Sequence, residues 1–190
     1  MGVLTLVSLV LVRAVATAHH AAPLQPPNVL RVLWVDMDGS CPVSEVTVTI
    51  EVRRIFGSAG LEVEWQSGVP SSVSTPDVVR VTVLSEDRAG RKQPPMGATM
   101  DARHVFVLCS EVARALTVGG RRSSGPELSR AVGRVVAHEL VHALAPGIKH
   151  ARFGLMKPIL TAAALTQPGL LIDLDTRRTL RREIEKFVRR

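Results

Sequence analysis

Tyrosine is absent from this 190-residue chain, which holds only four phenylalanines and two tryptophans. A chain so poor in stacking rings lacks the aromatic platforms that single-stranded nucleic-acid binders combine with basic grooves, so no nucleic-acid partner is expected. Cysteine is also scarce. Cys41 and Cys109 permit one disulfide in an oxidising compartment, and they serve equally well as two buried thiols. Residues 1–12 are apolar but too few to cross a bilayer, which takes about 20 residues as a helix, so no stable membrane span is expected. Arg13 and the small-residue stretch Ala14-Val15-Ala16-Thr17-Ala18 follow. This order reads as an export signal over residues 1–18, cut near Ala16 or Ala18, which would make the protein secreted or periplasmic. The competing reading is a buried N-terminal strand or helix. No internal repeat is present.

Acidic residues are in deficit: 24 Lys and Arg face 17 Asp and Glu, for a net charge of +7. The basic residues gather at the C-terminus as Arg177, Arg178, Arg181, Arg182, Lys186, Arg189 and Arg190. Leu180, Ile184, Phe187 and Val188 are interleaved at helical spacing, which predicts an amphipathic terminal helix with a solvated basic face. The charge supports no more than an attraction to anionic surfaces or acidic substrates. With 46% hydrophobic residues, positions 19–190 suffice for one domain with a proper core.

Periodicity then orders the elements. Leu30 to Asp36 reads as a buried strand ended by the turn Asp36-Met37-Asp38-Gly39; the two aspartates resemble a fragment of a calcium loop, but too few ligands follow. Val43 to Phe56 reads as a helix through Val46, Ile50 and Ile55, stopped at Ala59-Gly60. Leu61 to Trp65, Val78 to Leu84 and His104 to Leu108 read as strands, and Met96 to Met100 as a short edge strand. A short helix is predicted over Glu111 to Leu116. A longer one is opened by Pro126 and carries Leu128, Val132, Val135 and Val136.

That last helix bears His138-Glu139-Leu140-Val141-His142. Residues four apart share a helical face, so both histidines can offer ring nitrogens to one tetrahedral Zn²⁺, with Glu139 beside it as general base toward a water. If the helix ran on, His150 would lie roughly 12 Å further along the axis at about 1.5 Å per residue, out of reach of the same ion. A break is therefore required. Pro146-Gly147 supplies one, since proline expels the preceding residue from helical geometry and glycine tolerates positive φ. His150 can then swing back as third ligand, and Gly154-Leu155-Met156 can form a second turn. Asp173 or Asp175 is the alternative third ligand. His104, His19 and His20 have no role in this reading.

With its helix-breaking glycine, His150 and a Met156 turn, this motif resembles the metzincin zinc peptidases. The usual long motif has a glycine three and a histidine six residues after its second histidine, where this chain has Ala145 and Ile148. The spacing present is closer to that of a group of exported bacterial metzincin-like proteins, and Arg54 to Trp65 also resembles their helix and strand. Val141 departs from the glycine that group usually has inside its motif. The resemblance implies an α/β fold: a mixed twisted sheet, an active-site helix and a C-terminal helix. It implies a zinc metallopeptidase acting on peptide or protein substrates, with His138, His142 and His150 on the metal, Glu139 as base and Met156 beneath the imidazoles. Several zinc peptidases add an oxyanion-stabilising tyrosine, which this chain lacks. Some metzincins cap their zinc with a cysteine in a latent form, a role for which Cys41 is the candidate. Two readings compete with an endopeptidase: a zinc-containing binding module that cuts nothing, and a basic protein that binds anionic surfaces. No feature of the sequence bears on oligomeric state.

Overall fold

A computed structural model describes residues 29–69, 71–72, 75–87, 89–117 and 123–188. The export signal expected over residues 1–18 lies outside them, as do His19, His20, Arg189 and Arg190. Strands β1 (Val29–Asp36), β2 (Glu62–Gly68), β3 (Val78–Leu84), β4 (Gly97–Asp101) and β5 (His104–Leu108) form one sheet in the order β2-β1-β3-β5-β4. Neighbours pair in parallel except β4, which runs antiparallel to β5 and forms one edge. The fold is a mixed α/β sheet, as the sequence predicts.

Parallel strands need crossovers, and these put helices on the sheet. Helices α1 (Glu45–Gly57), α2 (Cys109–Leu116) and α3 (Gly125–Leu144) share a single core with the face of the sheet bearing Val32, Trp34, Val79, Val81, Val83, Val105 and Val107. Leu33, Val35 and Val78 form a small separate cluster on the opposite face. The N-terminus of α3 is set by Ser124, whose hydroxyl accepts from the Glu127 amide while the Glu127 carboxylate accepts from the Ser124 amide. This reciprocal cap starts the helix one residue before Pro126.

The expected apolar face of α1 is corrected. Val46 and Ile50 are 69% and 61% exposed, while Val48, Glu51, Val52, Ile55 and Phe56 are buried. The inward face is chosen by contact with α3, and it includes a carboxylate that the apolar spacing does not register. Asp36 and Asp38 make a turn: the Asp36 carboxylate accepts from the Gly39 amide at 3.0 Å, and Asp38 accepts from the Ser85 hydroxyl at 2.6 Å.

Cys41 and Cys109 are joined as a disulfide with a Cα separation of 5.9 Å, which replaces the reading of two buried thiols. The bridge pins the loop before α1 to the first turn of α2. Against α3 lie α4 (Ala162–Thr166), not expected from the sequence, and α5 (Leu174–Val188). Leu180, Ile184 and Phe187 of α5 are buried as predicted. Its basic face is not wholly given to water, however. Arg181 Nε donates to the Ala59 carbonyl at 2.7 Å and Arg177 Nε to the Ile172 carbonyl at 2.7 Å, so two of the arginines tie down loops.

Candidate metal centre

Helix α3 lies against β4 and β5, and its last two turns carry His138, Glu139 and His142. The helix ends at Leu144, and Ile148 N donates to the Ala145 carbonyl at 2.9 Å across Pro146-Gly147. The break falls where expected, with one difference. Gly147 is not left-handed; proline's fixed φ suffices for this turn. Positive φ appears instead at Gly154, at +75°, where a Cβ would sit 2.8 Å from the Leu171 carbonyl oxygen. Leu155 N donates to that same carbonyl at 3.0 Å, and Ala151 N donates to the Met156 carbonyl at 2.7 Å.

This folded-back segment brings His150 to the other two histidines. One ring nitrogen from each of the three lies within 4.8 Å of those of the other two. His142 Nε2 and His150 Nε2 are 3.2 Å apart, close to the roughly 3.3 Å between two ligands of a tetrahedral zinc with bonds of about 2.0–2.1 Å. His138 is held by a second contact, its Nδ1 lying 2.9 Å from the Leu155 carbonyl. A carbonyl only accepts, so Nδ1 carries the proton and Nε2 keeps its lone pair for a ligand. Burial, then the neighbouring imidazoles, hold the pKa values of His138 and His142 below the ordinary histidine value. Neutral imidazole is the metal-binding form. Donor type, protonation and spacing all fit Zn²⁺.

The alternative ligands are elsewhere. Asp173 accepts from the Thr176 amide at 3.0 Å and its hydroxyl at 2.7 Å, capping α5, and the group able to hold a metal among the described residues contains neither Asp173 nor Asp175. Cys41 is committed to its disulfide and does not cap the histidines. His104 faces Asp101, with Nδ1 2.8 Å from the carboxylate. Met156 is fully buried directly after the carbonyl that fixes His138.

Glu139 points to β4. The Thr99 hydroxyl lies 2.8 Å from Glu139 Oε2 and 2.9 Å from the Glu139 carbonyl. Gly97 makes room, since a Cβ there would meet Glu139 Cγ and Val135 Cγ1, both at 2.8 Å. Burial raises the Glu139 pKa above the usual carboxylate value, and the Thr99 bond opposes the rise. No pattern in the sequence marks Thr99, Gly97 or the Leu155 carbonyl as part of the site. The first two lie about forty positions before Glu139 and join it only because β4 pairs with β5 beside α3. Thr99, His138, Glu139, His142, Pro146 and His150 line one hollow of about 380 Å³.

No family model and no curated protein matches this chain. Among solved structures, archaemetzincin from Methanopyrus kandleri aligns over 83% of this chain and 97% of its own, with a TM-score of 0.62 and 15% identity. A zinc-dependent peptidase from Methanocorpusculum labreanum aligns over 79% and 99%, with a TM-score of 0.57 and 11% identity. Across that sequence distance, what this chain has in common with both proteins is the zinc-peptidase fold.

Proposed function

We propose that the protein is a zinc-dependent peptidase with His138, His142 and His150 as metal ligands and Glu139 as catalytic base. The convergence of three ring nitrogens beside a half-buried carboxylate carries this reading. Bound zinc supplies Lewis acidity to a water molecule and to the scissile carbonyl. Glu139 accepts the water's proton and returns it to the leaving amine, a task suited to a carboxyl whose pKa burial has moved toward neutrality. Thr99 holds the carboxylate in place. Among the described residues β4 has no strand on its outer side, and that edge offers its backbone groups to an extended peptide. The Cys41–Cys109 bridge supports an oxidising compartment and hence export after cleavage near residue 18.

Metal analysis of the purified chain, combined with hydrolysis of mixed peptides, tests the reading. Glu139→Ala is expected to retain zinc and lose hydrolysis; His150→Ala is expected to lose both. A binding module would keep zinc and ligand in Glu139→Ala and cut nothing in either form. A protein without bound metal would sink both of these readings in favour of a basic surface binder.

A further inference from the structure

Past the histidines the cleft widens into a second hollow of about 660 Å³, whose walls include His138, Glu139, Val135, Leu160 and Lys157. Four of its lining residues are Asp, Glu, Lys or Arg: Glu111, Arg114, Glu139 and Lys157. Glu111 and Arg114 neutralise each other in an ion pair. Glu139 is engaged by Thr99. Lys157 is half-buried and has neither an ion pair nor a hydrogen bond among the described residues. Its ammonium carries three donors, and none is taken up by an acceptor among the described residues, so the group is available to a carboxylate entering the hollow. Buried Val135 and Leu160 in the same wall lower the local dielectric and strengthen any charge pairing made there.

The surroundings have the same sign. Residues 146–161, the segment carrying His150 and Met156, contain Lys149, Arg152 and Lys157 and no acidic residue. Lys149 and Arg152 are exposed. Together with a net charge of +7, they give this segment and the chain as a whole a field that favours anions.

We propose that Lys157 selects substrates with an acidic side chain flanking the scissile bond, the carboxylate entering this hollow to pair with the lysine ammonium. This specificity rests on the peptidase reading, but the pairing itself requires no turnover.

The test uses peptides identical except for Glu, Gln or Lys at one position flanking the cut, with zinc-loaded wild type, Lys157→Met and Lys157→Glu. A charge-assisted bond predicts kcat/KM for Glu over Gln higher by roughly tenfold at one flanking position. The preference is expected to vanish in Lys157→Met, which keeps most of the stem's packing, and to reverse toward Lys in Lys157→Glu. An equal Glu-to-Gln ratio in wild type and Lys157→Met overturns the proposal, and this comparison still decides if Lys157→Glu does not fold. Equilibrium binding of the same peptides by calorimetry, with and without zinc, separates the two levels. If nothing is cut but the Glu peptide binds roughly tenfold tighter through Lys157, the peptidase reading fails and the acidic-ligand site stands. If binding is indifferent to Glu, Gln and Lys, the acidic-ligand site is refuted whatever is cut.

Discussion

Removing the Glu51 carboxylate tests how the metal-binding face of α3 is held in place. Glu51 of α1 is 6% exposed and Arg134 of α3 is 2% exposed, and Arg134 stands one helical turn before His138. Arg134 Nε donates to Glu51 Oε1 at 2.7 Å and Nη1 to the Ala164 carbonyl at 3.2 Å. Glu51 also receives Arg54 Nε at 2.9 Å and Nη2 at 2.8 Å. The two partners are therefore unequally provided for. Glu51→Leu leaves a buried guanidinium with one carbonyl acceptor, the situation that costs about 3–5 kcal/mol when a buried pair is broken. Arg134→Met leaves a carboxylate still held by Arg54, so its expected cost is about 1–3 kcal/mol. The double variant should cost less than the sum of the singles. Against a total stability of about 5–15 kcal/mol, these differences are readily measured by urea unfolding of the oxidised, metal-free chain. A loss in Arg134→Met equal to or above that in Glu51→Leu would refute the reasoning.

The same pair fixes a pH dependence. Burial pushes the Glu51 carboxyl up, but its bonds to Arg54 and Arg134 outweigh burial and leave it below its ordinary value of 4.5. A depressed folded-state pKa means that the stabilisation is complete above 4.5 and is lost as pH falls through the lower folded value. The stability gap between wild type and Glu51→Leu should accordingly narrow on acidification below that point, and a constant gap would count against the assignment.

Three further perturbations test the geometry. Gly154→Ala places a Cβ at positive φ and against the Leu171 carbonyl; a loss of at least about 1–2 kcal/mol in unfolding free energy is expected. Because the Leu155 carbonyl orients His138, zinc affinity measured by chelator competition should also fall roughly 10–100-fold. Thr99→Val removes the hydroxyl from Glu139 and should lower kcat by roughly 10–100-fold, the equivalent of one charge-assisted bond, while Thr99→Ser restores it; failure of serine to rescue would show that the hydroxyl is not what matters. Reducing the Cys41–Cys109 bridge, which spans a sequence separation of 68, should lower stability by about 4 kcal/mol in the chain-entropy limit. An unchanged urea midpoint with reductant would contradict this.

Local chemistry made much of the architecture legible. β3 and β5 occupy the residues their apolar runs mark out, and the break after His142 falls at Pro146 because proline constrains the backbone whatever packs around it. α4 leaves no mark in the sequence because five residues, three of them alanine, carry no usable periodicity. The inward face of α1 is not legible in its apolar spacing because Glu51 turns inward toward Arg134, a partner 83 positions away.

What the sequence determined alone was His138 and His142 on one helical face, and the need for a reversal if His150 rather than Asp173 or Asp175 is to join them, because helical rise forbids those rings from meeting otherwise. Tertiary structure decided the remainder: Thr99 against Glu139, the Leu155 carbonyl against His138, and Lys157 in the wall of the second hollow. Each of these depends on sheet pairing or chain return between distant segments. Contacts of that kind are selected by the packing of the whole core, and no local pattern of residues encodes them.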